Sequence, residues 1–301
     1  MSSIKVRHLE KSMGPDKTLL IKELNIESPK VLGLLGPNGA GKSTILKLLS
    51  GSVELFRGEI EINGIDIRED RKNAVIGTGS LIENPRFYQF VSGRHLLSFI
   101  DCIRKGTDFG VPEEVNSVLE QIGLEKKGKS LINTYSTGEL KRLSLGAAII
   151  GNPKIVLLDE PLDNLDILGE LVLDNIIHQI SNVKDKILIM ASHDLGLLEK
   201  FCNEVIILID GKIEETVIMD YPGNKKIITL DKSVQPTLSL SKEYEHTGSE
   251  IIIEMSKNEE IISVIRELNS QGYEIKRIND YSMLKRKYLD ILKIKGMNIH
   301  H

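Results

Sequence analysis

A chain of 301 residues, 41% apolar and 27% charged, carries enough core-forming material for one large or two ordinary soluble domains. Its net charge of −4 and 4% aromatic content, with no tryptophan, argue against a general nucleic-acid binder, which needs a basic face and stacking platforms. Two cysteines, Cys102 and Cys202, lie too far apart in sequence for a redox or zinc motif.

The N-terminal stretch MSSIKVRHLE lacks the apolar core of a signal peptide. The longest apolar runs, such as VIILI at 205–209, have strand length and fall far short of a membrane span, so a cytosolic chain is expected. From residue 4 to about 218 short apolar runs alternate with helical patterns. The predicted strands are KVLGLLG (30–36), GEIEING (58–64), NAVIGTG (73–79), KIVLLDE (154–160), KILIMAS (186–192) and EVIILIDGKI (204–213). Buried strands between helices indicate an α/β fold with a sheet that is parallel at least in part. Residues 83–150 change character, with helical patterns in GRHLLSFIDCIRK, PEEVNSVLEQIGL and the stretch after Ser136, and read as a helical insertion. Residues 219–249 are polar and suit a linker. A small α+β domain is expected over 250–301, with a strand at 250–255, a helix near 257–269, a strand at 273–278 and a helix near 281–293. Its last helix, LKRKYLDILKIKG, is basic on one side and apolar on the other. That fits a solvated helix face, with a membrane surface or acidic partner as the alternative.

The strongest chemical signal is GPNGAGKST, comprising Gly36, Pro37, Asn38, Gly39, Ala40, Gly41, Lys42, Ser43 and Thr44. It fits the phosphate-cradling P-loop and stands between a predicted strand and a predicted helix. The glycines let backbone N–H groups converge on phosphate oxygens, and the helix N-terminus adds its positive end. Lys42 reaches the β- and γ-phosphates, and Ser43 offers its hydroxyl to Mg²⁺. KIVLLDEP puts Asp159 and Glu160 at the C-terminal end of a buried strand, where open α/β sheets bind ligands. Asp159 can hold Mg²⁺ and Glu160 can polarise an attacking water. His193 in ASHDL follows another predicted strand and can hydrogen-bond a γ-phosphate and that water. In YSTGE, Ser136 and Glu139 have the spacing of a capping box, and the apolar residues that follow recur at helical spacing.

This order of motifs resembles the nucleotide-binding domain of an ABC (ATP-binding cassette) ATPase over about residues 1–218. The resemblance implies a P-loop NTPase ABC cassette, with a RecA-like mixed sheet core, an antiparallel β part and a helical subdomain at 83–150. YSTGE falls where the family carries its signature, roughly 90 residues after Lys42. Ser136, Thr137, Gly138 and Glu139 are then implied to cover ATP held by the P-loop of a second cassette, in a homodimer or with a paired cassette subunit. PLDNLD resembles the family's D-loop, with Asp166 near the dimer interface. ATP and Mg²⁺ are the implied ligands, Glu160, His193 and Lys42 the implied catalytic residues, and a separate transmembrane permease the implied partner. The expected location is peripheral, on the inner face of the cell membrane, and no nucleic-acid partner is expected.

The sequence departs from the family pattern at four places. Glu83 stands where a Mg²⁺-linked glutamine is usual, a variant resembling the ATPases of bacitracin and lantibiotic export or immunity systems. Met13 replaces the aromatic residue that stacks on adenine, and a thioether packs on a base less well than a ring. Thr137 and Glu139 replace glycine and glutamine in the signature, and the C-terminal domain lies outside the cassette. The resulting expectation is the ATP-hydrolysing subunit of an ABC transporter, exporting an antibiotic peptide or similar amphiphile. The competing classes are an ABC ATPase acting on translation or DNA, and a regulatory nucleotide-binding module. Translation-associated members usually carry two cassettes in one chain, and the segment between Lys42 and Ser136 leaves no room for the long coiled coil of DNA-associated ones.

Overall fold

The computed structural model describes residues 1–15, 17–54, 56–83, 87–107, 113–219, 225–255 and 260–297. They fall into two compact units, Met1–Ile218 and Met219–His301.

In the first unit β1 (Ser3–Gly14) and β2 (Lys17–Glu27) form an antiparallel hairpin. Ile4 and Val6 alternate inward along β1, but His8 takes a positive φ of 49° and the next inward residue is Leu9. That bulge breaks the period-2 pattern, and neither strand stands out as an apolar run. The chain continues through β3 (Lys30–Leu35), α1 (Lys42–Leu49), β4 (Arg57–Ile62), β5 (Ile65–Asp66), α2 (Arg71–Val75) and β6 (Thr78–Leu81). The helices α3 (Gly93–Lys105), α4 (Glu113–Gln121) and α5 (Thr137–Ile149) follow. Then come β7 (Ile155–Asp159), α6 (Ile167–Ser181), β8 (Ile187–Ala191), α7 (Leu195–Phe201), β9 (Glu204–Ile209) and β10 (Lys212–Ile218). All ten strands join one sheet in the order β5-β4-β1-β2-β10-β9-β3-β8-β7-β6. β9, β3, β8, β7 and β6 run parallel and are the buried half; every residue of β7 and β8 is buried.

Two predicted strands need correction. Residues 73–79 do not form one strand: Asp70 accepts from Asn73 N at 3.1 Å and caps α2, and extended pairing begins only at Thr78. Residues 204–213 are two antiparallel strands, turned at Asp210 and Gly211, whose φ values are 48° and 78°. An Asp-Gly pair with both φ positive is the tight hairpin turn that strand twist favours. The parallel register then positions the site. Leu34 of β3 pairs with Ala191 of β8, and Ala191 pairs with Asp159 of β7, so the C-terminal ends of three strands come to one edge.

The second unit contains β11 (Lys225–Leu230), β12 (Tyr244–Thr247), β13 (Glu250–Glu254), α8 (Glu260–Ser270), β14 (Ile275–Asp280) and α9 (Met283–Ile294). Residues 257–259 of the expected first helix lie outside the described residues. The expectation of a linker over 219–249 is corrected here, because β11 and β12 both lie in that range. β11 is an inner strand of an antiparallel sheet ordered β12-β13-β11-β14. Ile228 and Leu230 of β11 share a core with Ile251, Ile253, Val264 and Leu268. Val234 and Leu238, from the polar-looking stretch, pack into it too. The Tyr273 hydroxyl accepts from Gln235 N at 2.9 Å, and the Tyr244 hydroxyl donates to Leu238 O at 2.7 Å. Ile228→Ala is expected to destabilise this unit by about 2–5 kcal/mol, the cost of a core truncation. A linker position would stay within about 0.5 kcal/mol, and denaturant unfolding of the variant separates the two.

Candidate active site

Residues 36–41 leave β3 and turn tightly into α1. Gly39 and Gly41 have φ values of 79° and 106°, a region costly for any other residue here. A Cβ on Gly36 would lie 2.2 Å from Leu208 O, so the loop can pass β9 only as glycine. Ala40 is buried and donates its amide to Pro37 O at 3.1 Å, while Asn38 is exposed at the tip and Thr44 is half-buried on α1. Lys42 is only 6% exposed, and its ammonium donates to Gly36 O at 2.7 Å and Pro37 O at 3.4 Å. Burial lowers its pKa below the ordinary lysine value, opposed by Glu160 and Asp159. Met13 touches this loop: its sulfur lies 3.2 Å from the position a Cβ on Gly41 would take.

Asp159 ends β7, 7% exposed, and burial raises its carboxyl above the ordinary range despite a hydrogen bond from Ser43. Among the described residues its buried Oδ1 has no hydrogen-bond partner. A hydroxyl and a carboxylate with one oxygen unspent form a hard-oxygen set that fits Mg²⁺. Glu160 follows in the left-handed region, at φ 41°, with its amide bonded to Ala191 O at 2.8 Å. Its Oε2 lies 2.9 Å from His193 Nδ1 and 3.3 Å from both the His193 amide and Ser192 Oγ. Its Oε1 lies 4.0 Å from Lys42 Nζ. The P-loop, Asp159, Glu160 and His193 therefore meet at one sheet edge.

Ser136 caps α5 with both halves of a capping box. Glu139 N donates to Ser136 Oγ at 3.2 Å, and Ser136 N donates to Glu139 Oε2 at 2.8 Å. Thr137 and Gly138 form the first turn. A cleft of about 190 Å³ is lined by Ser43, Glu83, Lys141, Asp159, Glu160, Asp163 and Asn164, and residues 136–139 are not among them.

Residues 21–163 match the family described as ABC transporter. The chain is 32% identical to the lantibiotic transport ATP-binding protein SrtF of Streptococcus pyogenes, over 74% of this chain and 93% of that one. It is 30% identical to the bacitracin transport ATP-binding protein BcrA of Bacillus licheniformis, over 77% of this chain and 76% of that one. The chain belongs to the ABC transporter family. It is an ATP-binding subunit of that family, and membership implies ATP binding and hydrolysis. The solved ATP-binding subunit of an ABC transporter superposes with a TM-score of 0.64 at 23% identity, covering 72% of this chain and 90% of that one, and shares the cassette fold. Among the described residues no helix is long and apolar enough to cross a membrane.

Within this ABC subunit the departures from the family pattern have local partners. Glu83, at φ 58°, pairs with Lys47 of α1 at 2.5 Å at the rim of the cleft. Residues 84–86 of the NPRFYQF stretch beside it lie outside the described residues. Asp166 caps α6 through Gly169 N at 2.7 Å, and its Oδ2 lies 3.2 Å from where a Cβ on Gly138 would sit. Three lysines near the site had no signal in a motif scan. Lys17 reaches the loop tip at Gly39, Lys127 bonds Glu139 Oε2 at 2.8 Å, and Lys141 enters the cleft.

The Lys127 ammonium and then the Ser136 amide hold the Glu139 carboxyl below its ordinary range. A depressed carboxyl pKa favours the folded state above the ordinary carboxylate range, and the contribution is lost as pH falls through the folded value. Lys127→Met is therefore expected to raise the Glu139 pKa towards the ordinary value of about 4.3, read from its carboxyl shift in an NMR titration. An unmoved titration would show that the cap alone holds Glu139.

Proposed function

We propose that this subunit hydrolyses ATP at a site completed by a second cassette and so energises a separate membrane permease. The observation that carries the reading is the placement of Glu160: in reach of Lys42, held by Ser192 and His193, and in a cleft that its own signature does not line. The P-loop amides and Lys42 would bind the β- and γ-phosphates, with Met13 against the base. Ser43, Asp159 and Glu83 would hold Mg²⁺, which when bound neutralises charge on the β- and γ-phosphates. Glu160 would orient a water whose oxygen attacks the γ-phosphorus while the bond to the β–γ bridging oxygen breaks. The water's protons pass to the carboxylate and the released phosphate, and ADP departs. His193 would keep Glu160 aligned and contact the γ-phosphate.

The signature supports the composite site. Ser136 and Gly138 stand at a capped helix N-terminus, which suits an anion such as the γ-phosphate of ATP in a partner cassette. Asp166 would lie beside that junction. The partner cassette is a second copy or a paired subunit.

A permease partner is supported by the transport proteins among the relatives. Large apolar side chains, including Tyr88, Phe90, Phe99, Ile103 and Leu131, are exposed across the helical block and suit its docking. The subunit would then sit at the inner face of the membrane. The cargo class we infer is an antibiotic peptide or similar amphiphile, in line with the named substrates of the relatives and with Glu83.

Mg²⁺-ATP turnover measured against protein concentration tests the composite site. Specific activity is expected to rise with concentration and to fall at least about a hundredfold in Glu160→Gln. Wild-type turnover in that variant removes Glu160 from its role. Ser136→Arg is expected to abolish hydrolysis while leaving monomer ATP affinity within about twofold, by titration with a fluorescent nucleotide. An equal loss of affinity would contradict a signature acting in trans.

A further inference from the structure

Lys141 is the one lysine of the signature helix, and it points away from solvent into the cleft, 6% exposed. Its ammonium donates to the backbone carbonyl of Glu160 at 3.1 Å. That carbonyl also accepts from Asp163 N at 3.2 Å, closing the turn that follows β7. The Glu160 peptide is thus gripped at both ends, its amide by Ala191 O and its carbonyl by Lys141 and Asp163.

The grip matters because Glu160 adopts a left-handed φ of 41°, a conformation that a non-glycine residue keeps only when its surroundings over-determine it. An extended or right-handed backbone would carry the carboxylate away from Ser192 and His193. A buried ammonium needs compensation, and the charges of Asp163, Asp159 and Glu160 act in that direction. Lys141 therefore spends its charge inside the site while making no contact expected of a substrate ligand.

We infer that Lys141 is a positioning residue for the hydrolytic step, fixing the backbone from which Glu160 presents its carboxylate. This deepens the proposed function and rests on the role given there to Glu160. The inference separates Lys141 from Lys42. Lys42 lies among P-loop carbonyls and would bind phosphate, so its loss should weaken ATP binding. Loss of Lys141 should slow the step in which water is oriented.

Three substitutions in the full-length chain test this: Lys141→Met, Lys141→Gln and Lys141→Arg. Met keeps the bulk and removes the donor, Gln is too short to reach the carbonyl, and Arg restores a donor at similar reach. The expected result for Met and Gln is a kcat lowered about 10- to 100-fold, with KM for ATP within about twofold and the melting temperature close to wild type. Arg should recover a substantial part of kcat. In a Glu160→Gln background, Lys141→Met should cause no further loss beyond about twofold, because both changes disable one element. The inference is overturned if Met and Gln keep full kcat, if KM rises and the melting temperature falls along with the loss of kcat in all three variants, or if Lys141→Met is as costly without Glu160 as with it. Full turnover in Glu160→Gln alone would remove the underlying role of Glu160. An inactive Glu160→Gln beside an active Lys141→Met would remove only the role of Lys141.

Discussion

The parallel register across β3, β8 and β7 is the constraint on which the site depends. Leu34 opposite Ala191, and Ala191 opposite Asp159, bring three strand ends level at one edge of the sheet. From that edge the chain enters the P-loop, the Glu160 turn and the Ser192–His193 turn. A slip of one residue in any of these strands would turn its side chains to the opposite face and carry Asp159 away from the level of Ala191. The same register bonds Glu160 N to Ala191 O, so the backbone of the proposed water-orienting residue is an extension of the ladder.

Around this edge the molecule buries several charged groups. Lys42, Asp159 and Lys141 are each less than a tenth exposed. An unpaired buried polar group costs about 1–3 kcal/mol, and the unspent Asp159 Oδ1 is such a group. Lys42 donates to the carbonyls of Gly36 and Pro37, and Glu160 contacts the His193 ring. In the proposed function Asp159 Oδ1, with the Ser43 hydroxyl, would be offered to Mg²⁺.

The signature turn illustrates how one local motif serves two ends. The capping box satisfies Ser136 and Glu139 within their own chain, and Lys127 absorbs the charge that the replacement of glutamine by Glu139 introduces. Ser136 and Thr137 at the helix end are exposed, where the proposed function places the anion of a partner cassette. Lys141 on the same helix turns the other way and reaches Glu160.

The sequence by itself determined the short-range chemistry. Glycine spacing in GPNGAGKST dictates a phosphate loop, four apolar residues before Asp159 dictate a buried strand, and Ser136 with Glu139 dictates a capped helix. Each follows from contacts within a few residues, and each stands in the structure. Tertiary structure decided what depends on distant partners. The bulge at His8 hid β1, and the Asp70 cap turned an apparent strand into α2. β11 looked like linker because a short run of isoleucines between lysines gains its burial only from β13, β14 and α8. Lys127 and Lys141 read as ordinary surface lysines until packing placed them against Glu139 and Glu160. A lysine becomes part of a site through what surrounds its ammonium, and that surrounding comes from chain segments no local pattern can specify.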